Sequence, residues 1–226
     1  MCNRFDLHSP ITEVARFFEA RAEANWAADY NVAPTDDILT VTQASGDRVV
    51  RKMRWGLVPP WEKEFKSAYA TFNARCEGVA TSRTYRDAFR DRRCLIACDA
   101  FYEWRKLSPK EKQPYRIRVA EQPFTVFAGL WEAWPDRAAG VDRLSATIVT
   151  CPANGLMSGI HDRMPVILDQ AAFEAWLSPD TPPAALTALM VPYSGTLQAT
   201  PIGSAIGNVR NDGPELIQPI GTVITG

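Results

Sequence analysis

The sequence predicts an α+β fold that is rich in antiparallel strands and has helices between them. Short runs of β-branched and aromatic residues follow one another closely, with turn signals between them, which favours hairpins over βαβ units. Fewer segments have helical periodicity. With 226 residues, 46% of them hydrophobic, the chain suffices for one sizeable core but is short for two large domains, so we expect a single domain over residues 1–226.

The predicted elements follow one another along the whole chain. Apolar residues at helical spacing predict a helix over residues 11–26 (ITEVARFFEARAEANW), and the polar stretch YNVAPTDD predicts a turn after it. Further helices are predicted at SRTYRDAFRDR, DQAAFEAWL and TPPAALTALM. The predicted strands are ILTVTQ, DRVVRKMRW, CLIACDAFYEW, YRIRV, FTVFAGLW, LSATIVT and PVIL.

Composition and charge exclude several classes of protein. The formal net charge of −1 argues against a surface coated in positive charge, so contact with nucleic acid requires a local basic patch. The five cysteines are odd in number and lack CxxC spacing, which favours a reducing cytoplasm, and the two histidines form no HExxH motif. Neither an apolar signal core nor an apolar run of membrane length is present. We therefore expect a cytoplasmic protein without metal, cofactor or membrane contact.

Cys2 is the residue on which the functional interpretation depends. Since an initiator Met is removed when the second residue is small, the mature chain is expected to begin with Cys2, which then carries an α-amine beside its thiol. An α-amine has a pKa of about 7.7–8.0, so part of it is neutral and nucleophilic at cellular pH. It can condense with an aldehyde to a Schiff base, onto which the thiol closes a thiazolidine ring. On the dipeptide alone, an ordinary terminal thiol is the favoured alternative.

Glu103 and His161 are candidate proton carriers. Glu103 stands between Tyr102 and Trp104, and flanking aromatic rings would desolvate its carboxylate and raise its pKa. Strand alternation instead puts Glu103 opposite both rings, which leaves an exposed edge residue as the alternative. His161 in GIHDRMP is one of two histidines, a residue type suited to acid–base chemistry, whereas an HD pair in a loop is more often a simple turn.

Asn73 and Arg75 are candidates for binding a sugar phosphate. They lie two residues apart in TFNARCEG, hence on one side of an extended segment. An amide beside a guanidinium can hold a sugar oxygen and its neighbouring phosphate. The alternative is an ion pair between Arg75 and Glu77 on a surface strand.

Two further patterns suit contact with single-stranded DNA. Four arginines spaced three, four and three residues apart form a stripe on the predicted helix: Arg83, Arg86, Arg90 and Arg93. The alternative for this stripe is a solvated face that Asp87 and Asp91 partly neutralise. In WGLVPPWEKEF, stiffened by its prolines, an exposed Trp61 could stack on a base, although such a residue more often caps a core.

Taken in order, seven segments resemble the SRAP (SOS response-associated peptidase) family: MCNRF, YNVAPT, RWGLVPPW, FNARCE, SRTYRDAFRDRRCLIACDAFYEW, GIHDRMPVIL and AIGNVRNDGPELIQP. The resemblance runs from residue 2 to about residue 219 and keeps the family's order of motifs. It implies a compact β-rich α+β domain with curved sheets and outer helices. It also implies a protein that senses and shields abasic sites in single-stranded DNA through a covalent crosslink, and we expect a monomer.

The resemblance assigns roles to particular residues. It implies that Cys2 forms the Schiff base and then the thiazolidine, and that Asn73 holds the reacting sugar. Glu103 would shuttle protons, and His161 would assist ring opening and crosslink chemistry. Positions where the family contacts phosphates or shapes the floor of the site are Arg4, Asn31, Pro34, Arg75, Arg83 and Arg163. Trp61 and Arg86 complete the expected DNA-binding set from the patterns above.

Two departures from the family pattern concern glycines. Asn3 and Ala100 stand where the family usually has Gly. Asn tolerates a positive φ, whereas Ala100 would shift the strand of Glu103 if the backbone there needs one. We expect activity to survive both changes.

Two other functions compete with crosslinking. The first is an N-terminal-cysteine peptidase in which Cys2 attacks a peptide and His161 acts as base. The second is a non-covalent binder of single-stranded or branched DNA in which Cys2 is incidental.

Overall fold

A computed structural model describes residues 2–44 and 46–226, which form two β-sheets and several short helices. The strands, in chain order, are β1 (Phe5–Leu7), β2 (Ala20–Ala22), β3 (Asp29–Val32), β4 (Asp37–Ala44), β5 (Asp47–Trp55), β6 (Asn73–Arg75), β7 (Arg93–Cys98), β8 (Ala100–Lys106), β9 (Lys112–Val119), β10 (Thr125–Asp136), β11 (Val141–Pro152), β12 (Arg163–Pro165), β13 (Leu197–Pro201) and β14 (Ile224–Thr225). The helices are α1 (Ile11–Phe17), α2 (Arg86–Asp91), α3 (Gly155–Ser158), α4 (Phe173–Leu177) and α5 (Pro183–Leu189). Short 3-10 helices cover Gln170–Ala172, Ser204–Gly207 and Pro214–Ile217.

The two sheets differ in size but share the antiparallel character that the sequence predicts. The smaller sheet has six strands in the order β14-β13-β9-β8-β1-β3. The larger sheet has eight, in the order β12-β11-β10-β7-β4-β5-β2, with β6 beside β11. Three pairs are parallel, namely β2 with β5, β5 with β11 and β6 with β11. The predicted α+β class with mostly antiparallel sheets is therefore confirmed.

Aromatic side chains from both sheets meet in one large core. The ring centroids of Phe5 and Trp55 lie 5.0 Å apart, and those of Phe101 and Phe127 lie 5.7 Å apart. Cys2 belongs to the same buried cluster. The opposite face of β8 carries a smaller cluster, whose buried members are Tyr102, Ile202, Ile206 and Leu216. The packing of the two sheets therefore encloses the N-terminal residues.

The predicted helix over residues 11–26 is wrong beyond its first half. Helix α1 ends at Phe17, and Glu19 then takes a left-handed φ of 51°. Ala20–Ala22 forms β2, which pairs in parallel with β5. The predicted turn YNVAPTDD likewise begins as a strand, since Asp29–Val32 pairs with β1. Pairing with distant strands overrides the local helical periodicity at the first place and the local turn signal at the second.

The segment CLIACDAFYEW forms two strands rather than one. It breaks at Asp99, with β7 in the larger sheet and β8 in the smaller one. The Asp99 carboxylate accepts hydrogen bonds from the backbone N–H groups of His8 and Ser9, at 2.7 and 2.9 Å. The chain thus changes sheets at a residue that also holds the end of β1.

The predicted arginine stripe does not form as a single helical face. Helix α2 spans only Arg86–Asp91, and Arg93 already belongs to β7. Arg93 is buried, and its guanidinium donates to backbone carbonyl oxygens, including those of Phe89 at 2.6 Å and Trp176 at 2.7 Å. Because these carbonyls need a donor inside the core, Arg93 serves the fold rather than a surface.

Candidate active site

Cys2 lies fully buried immediately before β1. Its carbonyl oxygen accepts a hydrogen bond from Nδ2 of Asn73 at 2.6 Å, and its Sγ lies 3.9 Å from the carbonyl oxygen of Arg4. Burial raises the pKa of the Cys2 thiol, and the carboxylate of Glu103 raises it further. The sulfur is therefore a protonated thiol at neutral pH, and it needs a base before it can act as a nucleophile.

Asn73 reaches Cys2 from the larger sheet. It opens β6, whose parallel register with β11 sets Asn73 opposite Ile148. Its Oδ1 is buried and has no hydrogen-bond partner within residues 2–44 and 46–226. A buried amide oxygen without a donor is uncommon in a folded protein, and here it lies on the side chain that holds Cys2. The Asn73 amide therefore offers an acceptor to a hydroxyl group that enters the site.

Glu103 faces the interior between the sheets. Its neighbours on β8 alternate, with Phe101 in the large cluster and Tyr102 in the small one, and Glu103 is only 3% exposed. The alternative of an exposed edge residue is wrong, because β8 has a partner strand on each side. Burial raises the pKa of Glu103, and the positive charge of a protonated His161 would oppose this shift. Packing of the sheets, rather than the flanking rings, desolvates the carboxylate.

His161 lies in the loop between α3 and β12, with 28% of its side chain exposed. Its Nδ1 lies 3.0 Å from the backbone nitrogen of Arg163 and 2.9 Å from Oδ1 of Asp162. A neutral ring protonated on Nε2 accepts from the Arg163 N–H, whereas a ring protonated on Nδ1 donates to Asp162. Either protonation state of His161 thus has a partner in this loop, as an acid–base residue requires.

Arg163, rather than Arg75, forms an ion pair with Glu77, so the alternative considered for Arg75 is wrong. Its guanidinium binds both carboxylate oxygens of Glu77, at 2.7 and 3.0 Å, and donates to the carbonyl oxygen of Thr150 at 2.8 Å. The hydrogen bonds from Arg163 lower the pKa of Glu77 to about 2. Arg75 is exposed and has no ion pair among the residues that the structure describes. The guanidinium of Arg75 is therefore available to an external anion.

Four residues of the expected DNA-binding set are exposed. Trp61 is 45% exposed, and the guanidinium carbon of Arg83 lies 4.9 Å from the centre of its indole ring. Arg86 is exposed on α2, with its Nε 3.7 Å from Oδ1 of Asp87. Arg75 is the fourth exposed residue, and among the four a direct contact is seen between Arg83 and Trp61.

Arg4 and Asn31 lie inside the fold. Arg4 is 8% exposed and donates to Oδ1 of Asn31 at 2.6 Å and to the carbonyl oxygen of Ile206 at 3.0 Å. The Asn31 amide in turn donates to the carbonyl oxygens of residues 208 and 211. Pro34 is half-buried beside Thr35, whose φ of 87° is rare for a β-branched residue. These three residues shape the N-terminal region, and contact with DNA remains a prediction for them.

Tyr85 and a charged cluster at the end of β1 were not recognised in the sequence. The Tyr85 hydroxyl donates to the carbonyl oxygen of Asn73 at 3.3 Å, and burial raises its pKa to about 12. The sequence predicts only a helix over this segment, SRTYRDAFRDR. Nothing in that pattern indicates that Tyr85 forms a hydrogen bond with the backbone of Asn73. The cluster had no signal either, because its members come from three separate segments of the chain: Asp6 with His8, Asp99 and Arg116.

Three members of that cluster bring metal-ligand atoms together. The nearest side-chain ligand atoms of Asp6, His8 and Asp99 lie within 4.8 Å of one another, the one such group among the described residues. Arg116 already binds Asp6 through Nε and Nη2, at 3.2 and 2.8 Å, and backbone N–H groups occupy Asp99. The carboxylates are thus satisfied by donors of the protein, without an ion.

The two residues that stand where the family usually has glycine, Asn3 and Ala100, do not strain the backbone. Within the described residues, the non-glycine residues with a positive φ are Glu19 and Thr35. Asn3 and Ala100 therefore do not need the conformation that glycine favours. Ala100 pairs with Asp6 in the regular ladder between β1 and β8, so the concern that it displaces the strand of Glu103 does not arise.

Fold and site together define a β-rich α+β protein with a buried N-terminal thiol beside a desolvated carboxylate. The family model described as "SOS response associated peptidase (SRAP)" matches residues 1–209. "Abasic site processing protein YoqW" of Bacillus subtilis is 38% identical over 223 residues, covering 96% of this chain and 99% of that protein. "Abasic site processing protein HMCES" of Xenopus tropicalis is 32% identical over 198 residues, covering 78% of this chain and 59% of its own length.

Solved structures agree with the fold. A protein from Bacteroides thetaiotaomicron superposes with a TM-score of 0.86 at 23% identity, covering 96% of this chain and 99% of the other. A protein from Bordetella bronchiseptica gives 0.77 at 26% identity, covering 89% of this chain and 100% of the other. The chain therefore belongs to the SRAP family. In the described part of the chain, no helix is both long and apolar enough to cross a membrane.

Proposed function

We propose that this protein, once Met1 is removed, captures abasic sites in single-stranded DNA through a covalent bond to Cys2. The observation that carries the proposal is the meeting of Cys2, Asn73 and Glu103 in a desolvated site between the two sheets. The names of the curated relatives, abasic site processing proteins, supply the substrate class. The role belongs to the response to DNA damage.

The proposed reaction has two bond-forming steps. The ring-opened deoxyribose of an abasic site presents an aldehyde, which the Cys2 α-amine attacks to give a Schiff base with loss of water. The thiol then adds to the imine carbon, and its proton moves to the nitrogen, which closes a five-membered thiazolidine. Only Cys2 as the first residue offers amine and thiol on adjacent carbons. In a chain that retains Met1 the Cys2 nitrogen is an amide, so the thiazolidine cannot form.

Glu103 is the proton carrier for both steps. The raised pKa of the Cys2 thiol means that ring closure needs a nearby base, and the carboxylate of Glu103 is close enough to shift that pKa. Burial also raises the pKa of Glu103, which makes it a stronger base than an exposed carboxylate. His161, whose charge acts on Glu103, is the second group that can exchange protons with the reacting sugar.

Asn73 and the exposed cations position the DNA. The Asn73 Nδ2 fixes the Cys2 backbone, which leaves its Oδ1 to accept a hydrogen bond from a sugar hydroxyl. Arg75, Arg83 and Arg86 supply phosphate contacts, and Trp61 supplies a face on which a base can stack.

The thiol's ionisation disfavours the competing peptidase function. A cysteine peptidase needs a thiolate, which neighbouring positive charge stabilises, whereas burial and Glu103 both raise the pKa of Cys2. Attack by the amine needs no thiolate. The non-covalent alternative differs in its product, because it leaves nothing attached to the DNA after denaturation.

The test is crosslinking of purified protein to an oligonucleotide that contains one abasic site. Intact mass first establishes which fraction of the protein lacks Met1. We expect a species that survives denaturing electrophoresis, disappears in Cys2→Ala and persists in Cys94→Ala, which removes another buried thiol. A tetrahydrofuran analogue without the aldehyde should give no product. Equal crosslinking by protein that keeps Met1 would sink the amine mechanism, and unchanged binding without any covalent species would favour the non-covalent binder.

A further inference from the structure

Cys76 follows the last residue of β6, beside the position that Cys151 occupies on the neighbouring strand β11. Strands β6 and β11 are parallel, and their register pairs Ala74 with Val149 and Arg75 with Thr150. Cys76 comes directly after Arg75, and its backbone N–H donates to the carbonyl oxygen of Thr150 at 2.9 Å, which completes the Arg75–Thr150 pair. Cys151 comes directly after Thr150, so the two cysteines are the next residues along neighbouring segments, and both are free thiols.

The two thiols also share one face of the sheet. Side chains two residues apart on a strand point the same way, so on β11 Cys151 shares a face with Val149. Ala74, Val149 and Cys151 are buried members of the large core cluster, and Cys76 packs against that cluster. Asn73 lies on the opposite face of β6. The thiol pair is therefore separated from the residues that hold Cys2.

The spacing of paired strands suits a disulfide. Directly opposed residues on neighbouring strands lie about 5 Å apart, within the range of roughly 4.4–6.8 Å between Cα atoms that a disulfide spans. Burial raises the pKa of Cys151 to about 12, and the charge of an ionised Cys76 contributes to this shift, as expected of neighbouring sulfur atoms. Cys76 is partly exposed and Cys151 is fully buried, so an oxidant in solution meets Cys76 first.

We propose that Cys76 and Cys151 form a modification site, at which hydrogen peroxide or a similar two-electron oxidant converts the two thiols into an intramolecular disulfide. The Cys76 thiolate attacks the peroxide, which yields a sulfenic acid and water once the hydroxide leaving group takes up the thiol proton. The Cys151 sulfur then displaces the hydroxyl group as a second water. Two thiols lose two electrons in total, and one peroxide becomes two waters.

The surroundings set the rate of this oxidation. Burial raises the pKa of Cys76, the carboxylate of Glu77 raises it further, and the guanidinium of Arg163 opposes both effects. Because the thiolate is the reacting species, oxidation is slow at neutral pH and accelerates as pH rises. Replacing Glu77 by Gln removes the adjacent negative charge and should speed the oxidation of Cys76. An unreactive thiol would show no such change in rate.

The disulfide closes a loop of about 75 residues, from Cys76 to Cys151, that includes β7 to β10 and Glu103. Restricting the unfolded chain over such a loop stabilises the folded state. We expect oxidised protein to melt roughly 5–10 °C higher than reduced protein. The link ties β6 to β11 without consuming Cys2. Because Cys2 stays unmodified, we expect DNA capture to survive oxidation. This expectation alone rests on the proposed function.

The experiment oxidises full-length protein with a graded excess of hydrogen peroxide, blocks the remaining thiols with N-ethylmaleimide and maps the peptides by mass spectrometry. We expect a mass loss of about 2 Da before blocking and one linked pair of peptides, containing Cys76 and Cys151, that dithiothreitol separates. Cys94 and Cys98 should react with N-ethylmaleimide only after the protein is unfolded, since both are buried. The melting temperature of the same samples is recorded in parallel.

Two variants keep the test decisive. In Cys76→Ser, Cys151 should stay reduced and the rise in melting temperature should vanish; this variant alters a partly exposed residue and spares the core. In Cys151→Ser, Cys76 should stop at the sulfenic acid or at a mixed disulfide. A wild-type protein in which Cys76 is overoxidised while Cys151 stays reduced would overturn the proposal, as would linkage between two copies. Abasic-site crosslinking is assayed separately, so its failure in reduced protein counts against the proposed function alone.

Discussion

The two ends of the first strand hold polar groups in opposite ways. At the end of β1 that carries His8, two carboxylates and two cationic side chains pair with one another. At the end that carries Cys2, Glu103 is buried with a raised pKa and the Oδ1 of Asn73 has no partner among the described residues. Because ion pairs hold β1 at the His8 end, the fold tolerates energetically unfavourable buried polar groups at the Cys2 end.

The anchored end is balanced in charge as well as in hydrogen bonds. Asp6 is fully buried and accepts from Arg116, and the Nδ1 of His8 lies 3.0 Å from Asp6 and 3.1 Å from Asp99. With His8 protonated, the two negative and two positive charges cancel. The hydroxyl of Ser9 also donates to Asp99, at 2.5 Å. Every carboxylate oxygen of this cluster therefore has a donor.

At the end of β1 that carries Cys2, burial raises the pKa values of the two groups that would exchange a proton, Cys2 and Glu103. A desolvated carboxylate and a protonated thiol are poor choices for stability, yet the raised pKa of Glu103 makes its carboxylate a better acceptor for the thiol proton. An amide oxygen without a donor is similarly unfavourable until a ligand supplies one. Burial alone does not distinguish the two ends, since Asp6 and Glu103 are both buried. The raised pKa of Glu103 and the Asn73 Oδ1, which has no partner among the described residues, are what distinguish them.

The largest expected effect comes from Glu103→Gln at the reactive end. Removing the proton carrier should lower the rate of crosslinking by roughly 10²–10⁴-fold, the usual contribution of general acid–base catalysis. The free energy of unfolding should stay the same or rise, because the change neutralises a desolvated group. Single-turnover crosslinking and urea denaturation measure the two quantities. Glu111→Gln, which changes an exposed glutamate, is the control. Loss of rate together with a large loss of stability would assign Glu103 a structural role.

The next effect comes from Asp6→Asn at the anchored end. The substitution leaves Arg116 without its counter-charge in a partly buried place, and we expect a loss of about 3 kcal/mol in the free energy of unfolding. Arg116→Gln should cost a similar amount, but the double variant should cost clearly less than the two losses together. Asp180→Asn, at an exposed aspartate, should change nothing measurable. Strictly additive losses would show that the two residues are not coupled and would break the comparison between the ends.

Parts of this comparison were predictable from the sequence, and others were not. The alternation on β8 places Glu103 opposite Tyr102 and Trp104 from local pattern alone, and the structure agrees. Its burial was not predictable, because it depends on β1 and β9 lying on either side of β8. Pairing with distant strands likewise ended α1 early and split the segment at Asp99.

The candidate site followed from motifs, whereas its supporting contacts did not. Cys2 suggested its own chemistry because the amine and the thiol belong to one residue, and the family resemblance added Asn73, Glu103 and His161. The hydrogen bond from Asn73 to the Cys2 carbonyl joins residues 71 positions apart, and no local periodicity encodes such a contact. The alternative ion pair of Arg75 with Glu77 was wrong for the same reason: the true partner, Arg163, lies 86 positions from Glu77, and Arg75 only two.

The smallest expected effect is a pH dependence that arises at the anchored end. The hydrogen bond to Asp6 raises the pKa of His8 against the opposing effect of burial. Because the folded pKa lies above the unfolded value of about 6.5, this stabilisation is fully present below that value and is lost as pH rises through the folded pKa. Wild-type protein should thus lose of order 1 kcal/mol from pH 6 to 9 relative to His8→Gln, the usual scale of a charged hydrogen bond.

Urea denaturation at several pH values measures this difference directly. Subtracting the His8→Gln curve removes the contributions of groups that titrate in both proteins, including the cysteines. Three charged groups face His8, namely Asp6 on its own segment, Asp99 between the sheets and Arg116 on β9, while Tyr30 stacks on the ring at 4.8 Å. Wild-type and His8→Gln curves that stay parallel across this range would mean that the charge of His8 does not stabilise the cluster. The anchored end would then owe its stability to Asp6 and Arg116 alone.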